Sequence, residues 1–215
     1  MQRSTAIVLN ACEELRQCKR LRKILKLVLK IGKVLNGASF SGFSLSNLLK
    51  LKDLKAKKAR TSFLNYLVRQ LSEQDAAVLN FAEEIPSMDF ACRISLSAVE
   101  SEMHSLKLAA AALDDEIEAA RARNDVAFVS KFGASNLSLN VQEELEELEQ
   151  VRQEFEATAR FYGESDVQTE QLFAIVQSFQ RMVMEELRTM PKKPVKAKVE
   201  SVQQNDENVV NGLKR

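Results

Sequence analysis

Apolar residues recur along this chain at the spacing of an α-helix, and the breaks between the repeats are short. From Ser4 to Leu35 the pattern predicts one helix. Leu21, Ile24, Leu25, Val28, Ile31 and Leu35 mark one side, and Leu27, Leu29 and Val34 widen it. A helix this apolar belongs at the centre of a bundle. "NGASFSG" at 36–42 stops it with Asn-Gly turn chemistry, and Ser44 is placed to cap a short helix running through Leu54. Ser62 opens another helix, to Gln74, that buries Phe63, Leu64, Leu67, Val68 and Leu71. A shorter one carries Val78, Leu79 and Phe81 as far as Pro86, which imposes a bend or break.

Beyond Pro86 the period changes. Val99, Met103, Leu106, Ala110, Leu113, Ile117 and Ala120 are spaced 4, 3, 4, 3, 4, 3, a heptad seam on one long helix. A loop near "ARNDVAFVSKFGASN" follows. Val141, Leu145, Leu148, Val151 and Phe155 then stripe a second long helix, the returning arm of an antiparallel pair. After a turn at Gly163, a last helix carries Leu172, Phe173, Val176, Phe179, Met182 and Val183. The expected fold is therefore all-α: a helical bundle over 1–90, joined to an elongated coiled-coil-like pair and a C-terminal helix over 91–188. A polar, basic and disordered tail is expected over 189–215.

Composition agrees with this pattern. The chain has 215 residues, 45% apolar and 28% charged, with six glycines, three prolines and no tryptophan. Cys12, Cys18 and Cys92 form neither an even disulfide set nor a Cys-x-x-Cys pair, and no charged-apolar-small leader is expected. A reducing, cytoplasmic setting is expected. The apolar run around 25–29 is broken by lysines and falls short of the roughly 20 residues that span a bilayer.

Charge adds what hydropathy does not show. The net charge is +1, but Asp53 is the only acid against more than a dozen cations between Arg16 and Arg60, while Glu100 to Arg160 holds about twice as many acids as bases. Six of those cations, Lys50, Lys52, Lys55, Lys57, Lys58 and Arg60, sit in one turn. A basic face of this kind fits an acidic partner. No zinc spacing, ribonucleoprotein motif or basic zipper points to specific nucleic-acid binding. "LRKILKLVLKIGKVL" alone would suit a membrane surface or a calmodulin-like partner, but its apolar width favours burial.

Catalytic chemistry finds no footing. His104 is the one histidine, and it lies beside the heptad seam at no metal spacing from Cys92. "NGASFSG" lacks the Gly-Lys-Ser/Thr that closes a phosphate loop. The Glu143, Glu144, Glu146, Glu147 and Glu149 cluster reads as a solvated helix face. Cys12 and Cys18, six apart, do not share a helix face. No enzyme activity, cofactor or metal site is expected.

Three blocks carry a resemblance. "ACEELRQCKRLRKILKLVLKIGKVLNG", "GFSLSNLLKLKDLKAKKARTSFLNYL" and "FYGE" before a Phe-rich helix resemble, in order and spacing, the C-terminal part of a formin homology-2 domain, the actin-assembly domain of formins. The resemblance covers 11–188. Gly42, Phe43, Leu45 and Leu48 match a Gly-Phe-x-Leu-x-x-Leu element, and Leu51, Asp53 and Lys55 match Leu-x-Asp-x-Lys. At the family's Gly-Asn-x-x-Asn-Gly signature Gly32, Asn36 and Gly37 are kept, but Lys33, a donor-only cation, replaces the first asparagine.

The resemblance implies an actin-binding patch of Lys55 with Asp53, Lys52, Lys57 and Lys58 on the region called the post. It also implies a socket for the lasso of a second formin subunit, formed by Gly32, Lys33, Asn36, Gly37, Gly42 and Phe43. Actin is the implied partner, and a cytoplasmic, cytoskeleton-associated location follows. The family's lasso, linker and most of its knob have no counterpart before Met1, so a partial domain over 1–188 is expected. Without a lasso the head-to-tail ring cannot close, and nucleation by this chain alone is not expected. The other reading is a coiled-coil scaffold derived from a formin that has lost actin.

Overall fold

The computed structural model describes residues 2–36, 42–55 and 61–190. Among them the chain is helical, with no strand and one isolated bridge, and it is all-α as the periodicity predicts. In order come α1 (Gln2–Gln17), α2 (Lys19–Asn36), the 3-10 helix η1 (Leu45–Lys52), α3 (Phe63–Gln74) and the kinked 3-10 segment η2 (Ala76–Glu84). Then follow α4 (Met88–Ala91), α5 (Leu96–Ala122), α6 (Val126–Phe132), α7 (Leu137–Phe161) and α8 (Thr169–Thr189). Of the tail expected over 189–215, Thr189 ends α8 and Met190 caps it, and 191–215 lie outside the described residues.

The single first helix of the sequence reading is two helices, broken at Cys18. The broken ends are satisfied from elsewhere in the chain. The backbone N–H of Arg20 donates to the Glu84 carboxylate at 3.1 Å, and that of Leu21 to the Cys18 sulfur at 3.4 Å, covering the start of α2. On the α1 side the Tyr162 hydroxyl donates to the Leu15 carbonyl at 2.6 Å, and Arg22 reaches the carbonyls of Gln17 and Cys18. Helix ends need such partners, so a break supplied with them persists without a proline. Burial alone would raise the Glu84 pKa, but the Arg20 N–H and the Cys18 thiol, with the Arg20 guanidinium, hold it below its ordinary value.

One core unites both parts expected on either side of residue 90. Val8, Leu15, Ile24, Leu48, Leu64, Leu79 and Met88 share it with Phe155, Phe173 and Phe179. α8 packs on η1, α3, α4 and η2, and Phe179 stacks on Phe81 with centroids 6.0 Å apart. α7 plays two roles. Its N-terminal part, as far as Arg152, pairs with α5, while its C-terminal part lies on α1, where Arg16 meets Glu154 and Thr158 is buried.

α5 and α7 run antiparallel. Ser138 hydrogen-bonds Asp114 near one end of the pair, and Arg152 feels Glu100 towards the other. Met103, Ala110 and Ile117 are buried at intervals of seven, as are Val141, Leu148 and Phe155. Of the other four positions of the predicted α5 seam only Ala120 is buried: Leu106 is 39% exposed, and Val99 and Leu113 are half-buried. Two helices without a third cover only a narrow stripe of each other. Val34, expected to widen the buried side of α2, is likewise exposed.

Candidate functional site

The sequence between α2 and α3 builds the site from caps. Ser44 accepts the Ser46 N–H and starts η1, which buries Leu45, Leu48 and Leu51 at 3-10 spacing. Ser62 accepts the Asn65 N–H at 3.1 Å and starts α3. Between these two starts the chain doubles back. Lys55 and Ser62 form an antiparallel bridge, and the Phe63 N–H donates to the Leu54 carbonyl at 2.7 Å. Both stems of the cationic turn are therefore pinned to the bundle.

Lys52, Asp53 and Lys55 are exposed on the first stem. The Lys52 ammonium meets Glu185 of α8 at 3.1 Å, and Asp53 caps η1 through its N–H to the Lys50 carbonyl. Among the described residues Lys55 has no ion-pair partner. Asn65 donates to Glu186 at 2.6 Å and ties α3 to α8 beside the turn. Lys57 and Lys58, the remaining members of the expected patch, lie outside the described residues.

A second feature lies at the other end of η1. Arg22, Leu25, Lys26 and Leu29 of α2, with Gly42, Phe43 and Leu45, Phe161 at the end of α7 and Tyr162 just after it, line a groove of about 290 Å³. Its walls are largely apolar, and Arg22 and Lys26 supply the charge. Of the expected socket residues, Gly42 and Phe43 line it directly. Lys33 is exposed four residues past Leu29, one turn further along the same face of α2, with Gly32 beside it. Asn36 ends α2, and Gly37 lies outside the described residues.

"FYGE" closes the groove, which its spacing alone did not reveal. Gly163 has φ 74°, the left-handed conformation that glycine adopts without strain. The Gly163 N–H bonds Arg160 and the Glu164 N–H bonds Ala159, so the two hydrogen bonds of a Schellman ending terminate α7. Glu164 is thereby aimed at η1, where it accepts the Leu45 N–H and the Ser44 hydroxyl. Tyr162, at the end of α7, reaches Leu15. Burial pushes its pKa above the ordinary tyrosine range, so the hydroxyl stays a donor.

Sequence reasoning missed Glu164, the wall formed by Arg22, Leu25, Lys26 and Leu29, and the α8 acids beside the turn. Only the "FYGE" block, standing at a fixed order after the others, signalled the first of these.

His104 is exposed on α5, and among the described residues no group of three His, Cys, Asp or Glu side chains is placed to hold a metal. No helix among the described residues is long and apolar enough to cross a membrane.

The comparisons with known proteins cover the same elements. The Formin Homology 2 Domain family profile matches residues 1–184. FH2 domain-containing protein 1 of Mus musculus is 38% identical over 112 residues, 50% of this chain and 10% of that protein. Protein diaphanous homolog 3 of Homo sapiens is 31% identical over 155 residues, 69% of this chain and 13% of that protein. Formin-like protein 6 of Oryza sativa subsp. japonica is 26% identical over 192 residues, 85% and 14% respectively. The chain thus spans between 10% and 14% of the length of these relatives. With the family profile matching from α1 into α8, across both the pinned cationic turn and the groove, the chain belongs to the formin homology-2 family.

Proposed function

We propose that this chain is the actin-contacting, post-like part of a formin-type actin-assembly domain, and that its role is binding rather than catalysis. The observation that carries the reading is the cationic turn. Its stems are fixed by the bridge between Lys55 and Ser62, with Lys52 and Lys55 exposed at the bundle surface. A rigid base under a cluster of cations aims them at an acidic partner, speeds encounter and fixes register. Actin, with its acidic surface, is that partner, which places the protein with the actin cytoskeleton.

The groove beside η1 receives the lasso of a second formin subunit in this reading. Its apolar walls suit a hydrophobic anchor, and Lys33 adds a cation at its far end where the family carries asparagine. In this reading the chain binds actin through the turn, and holding two actin subunits in register is left to the ring of two formin subunits.

Co-sedimentation with filamentous actin and a pyrene-actin assay together test this. Salt-sensitive binding without accelerated assembly is expected. Absence of binding at low salt would contradict the reading and favour the scaffold, and robust nucleation would contradict the division of labour.

A further inference from the structure

Two large apolar side chains stand uncovered beside the cationic turn. Leu54 is 53% exposed and Tyr66 is 48% exposed. Single exposed leucines or tyrosines are ordinary on any protein surface. These two are set together by the backbone. Leu54 precedes Lys55 on the first stem, and its carbonyl accepts the Phe63 N–H at 2.7 Å. Tyr66 stands one turn into α3, its N–H donating to the carbonyl of Ser62 at 3.1 Å, and Ser62 is the residue bridged to Lys55. The bridge thus brings the stem that carries Leu54 and Lys55 alongside the first turn of α3, which carries Tyr66.

The charges around them form an uneven rim. Lys52 is shared with Glu185 and Arg69 with Glu73, whereas Lys55 has no ion-pair partner among the described residues. An aromatic and an aliphatic side chain in the middle, with lysines at the edge, is the anatomy of a protein interface: a desolvated centre that holds and a polar rim that steers. Resting on the actin reading above, we propose that Leu54 and Tyr66 are the apolar anchors of the docking surface. They set how long the acidic partner stays, while Lys55 sets how fast and in which orientation it arrives. The two contributions separate by their response to salt, because screening weakens the charges and leaves apolar burial largely untouched.

The full chain, its Leu54→Ser/Tyr66→Ser double variant and Lys55→Ala are compared by co-sedimentation with filamentous actin at low and moderate salt. The double variant should lose about tenfold in affinity at both salt concentrations with its salt dependence unchanged. Lys55→Ala should lose mainly the salt-dependent part. Tyr66→Phe should bind like the parent, since the ring and not the hydroxyl anchors.

Hydroxyl-radical footprinting of the unmutated chain supplies a readout that folding of the variants does not touch. Leu54 and Tyr66 should be oxidised in the free protein and protected by actin, while Tyr162, the other of the two tyrosines, should change little. Parent binding with neither protection nor loss in the double variant would overturn the anchors and leave the actin reading standing. No binding by the parent at either salt would overturn both.

Discussion

Glu164 accepts the backbone N–H of Leu45 across 119 residues of sequence and joins the end of α7 to the start of η1. The same carboxylate takes the Ser44 hydroxyl at 3.3 Å, so one side chain serves as a cap for a helix encoded far away. Its direction depends on Gly163 in the left-handed conformation, where a side chain would be strained.

Glu164→Ala should therefore lower stability by about 1–2 kcal/mol, the range for removing a cap and a charge-assisted hydrogen bond. Glu164→Gln should recover part of it, because the amide oxygen still accepts. Thermal melts of the two variants against the parent check the order, and a melt of Glu164→Ala unchanged from the parent would contradict the cap.

The three thiols should differ sharply in reactivity. Cys12 and Cys18 are buried, and burial pushes each thiol up to about 11 from an ordinary value of 9.0, while Cys92 is half-exposed. A thiol reagent near neutral pH should label Cys92 quickly, and the other two only after unfolding. The same shifts make stability depend on alkali. The folded chain holds these protons more tightly than the unfolded one, so their contribution is complete below about pH 9 and is lost as pH rises through about 11. Melting temperature should fall across that window, and fall less in Cys12→Ala/Cys18→Ala relative to its own value at neutral pH.

Within the heptad of α5, Met103 and Leu106 should behave differently although the spacing treats them alike. Met103 is 1% exposed and Leu106 39%. Met103→Ala should cost about 2 kcal/mol or more by leaving a cavity. Leu106→Ala should cost less than about 1 kcal/mol. Denaturant unfolding measures both, and equal losses would show that a third helix covers Leu106 in solution.

These contrasts mark where the sequence was informative. Ser44 and Ser62 announced their helices because a cap acts within three residues, and the α8 stripe of Leu172, Phe173, Val176 and Phe179 was legible because one helix face obeys one period. The break at Cys18 was not, because its cause is Glu84, more than sixty residues away, supplying the partner that α2 needs. Val34 and Leu106 fooled the pattern for another reason. Periodicity shows which residues share a face, but not whether a neighbour covers that face. For the site, the Leu-x-Asp-x-Lys match located Lys55, whereas the bridge to Ser62 and the exposed pair Leu54 and Tyr66 arise only once two elements meet.

Charge reversal at Lys55 distinguishes a turn that faces actin from one that does not. Binding of the full chain to filamentous actin is measured at low salt for the parent, Lys55→Ala and Lys55→Asp. Lys55→Ala should weaken binding by a few-fold, and Lys55→Asp by more, because repulsion replaces attraction where the partner is acidic. Raising salt should narrow the difference between the two variants as the screening length contracts from about 10 Å at 0.1 M. Equal binding by the parent and Lys55→Asp at low salt would contradict the account.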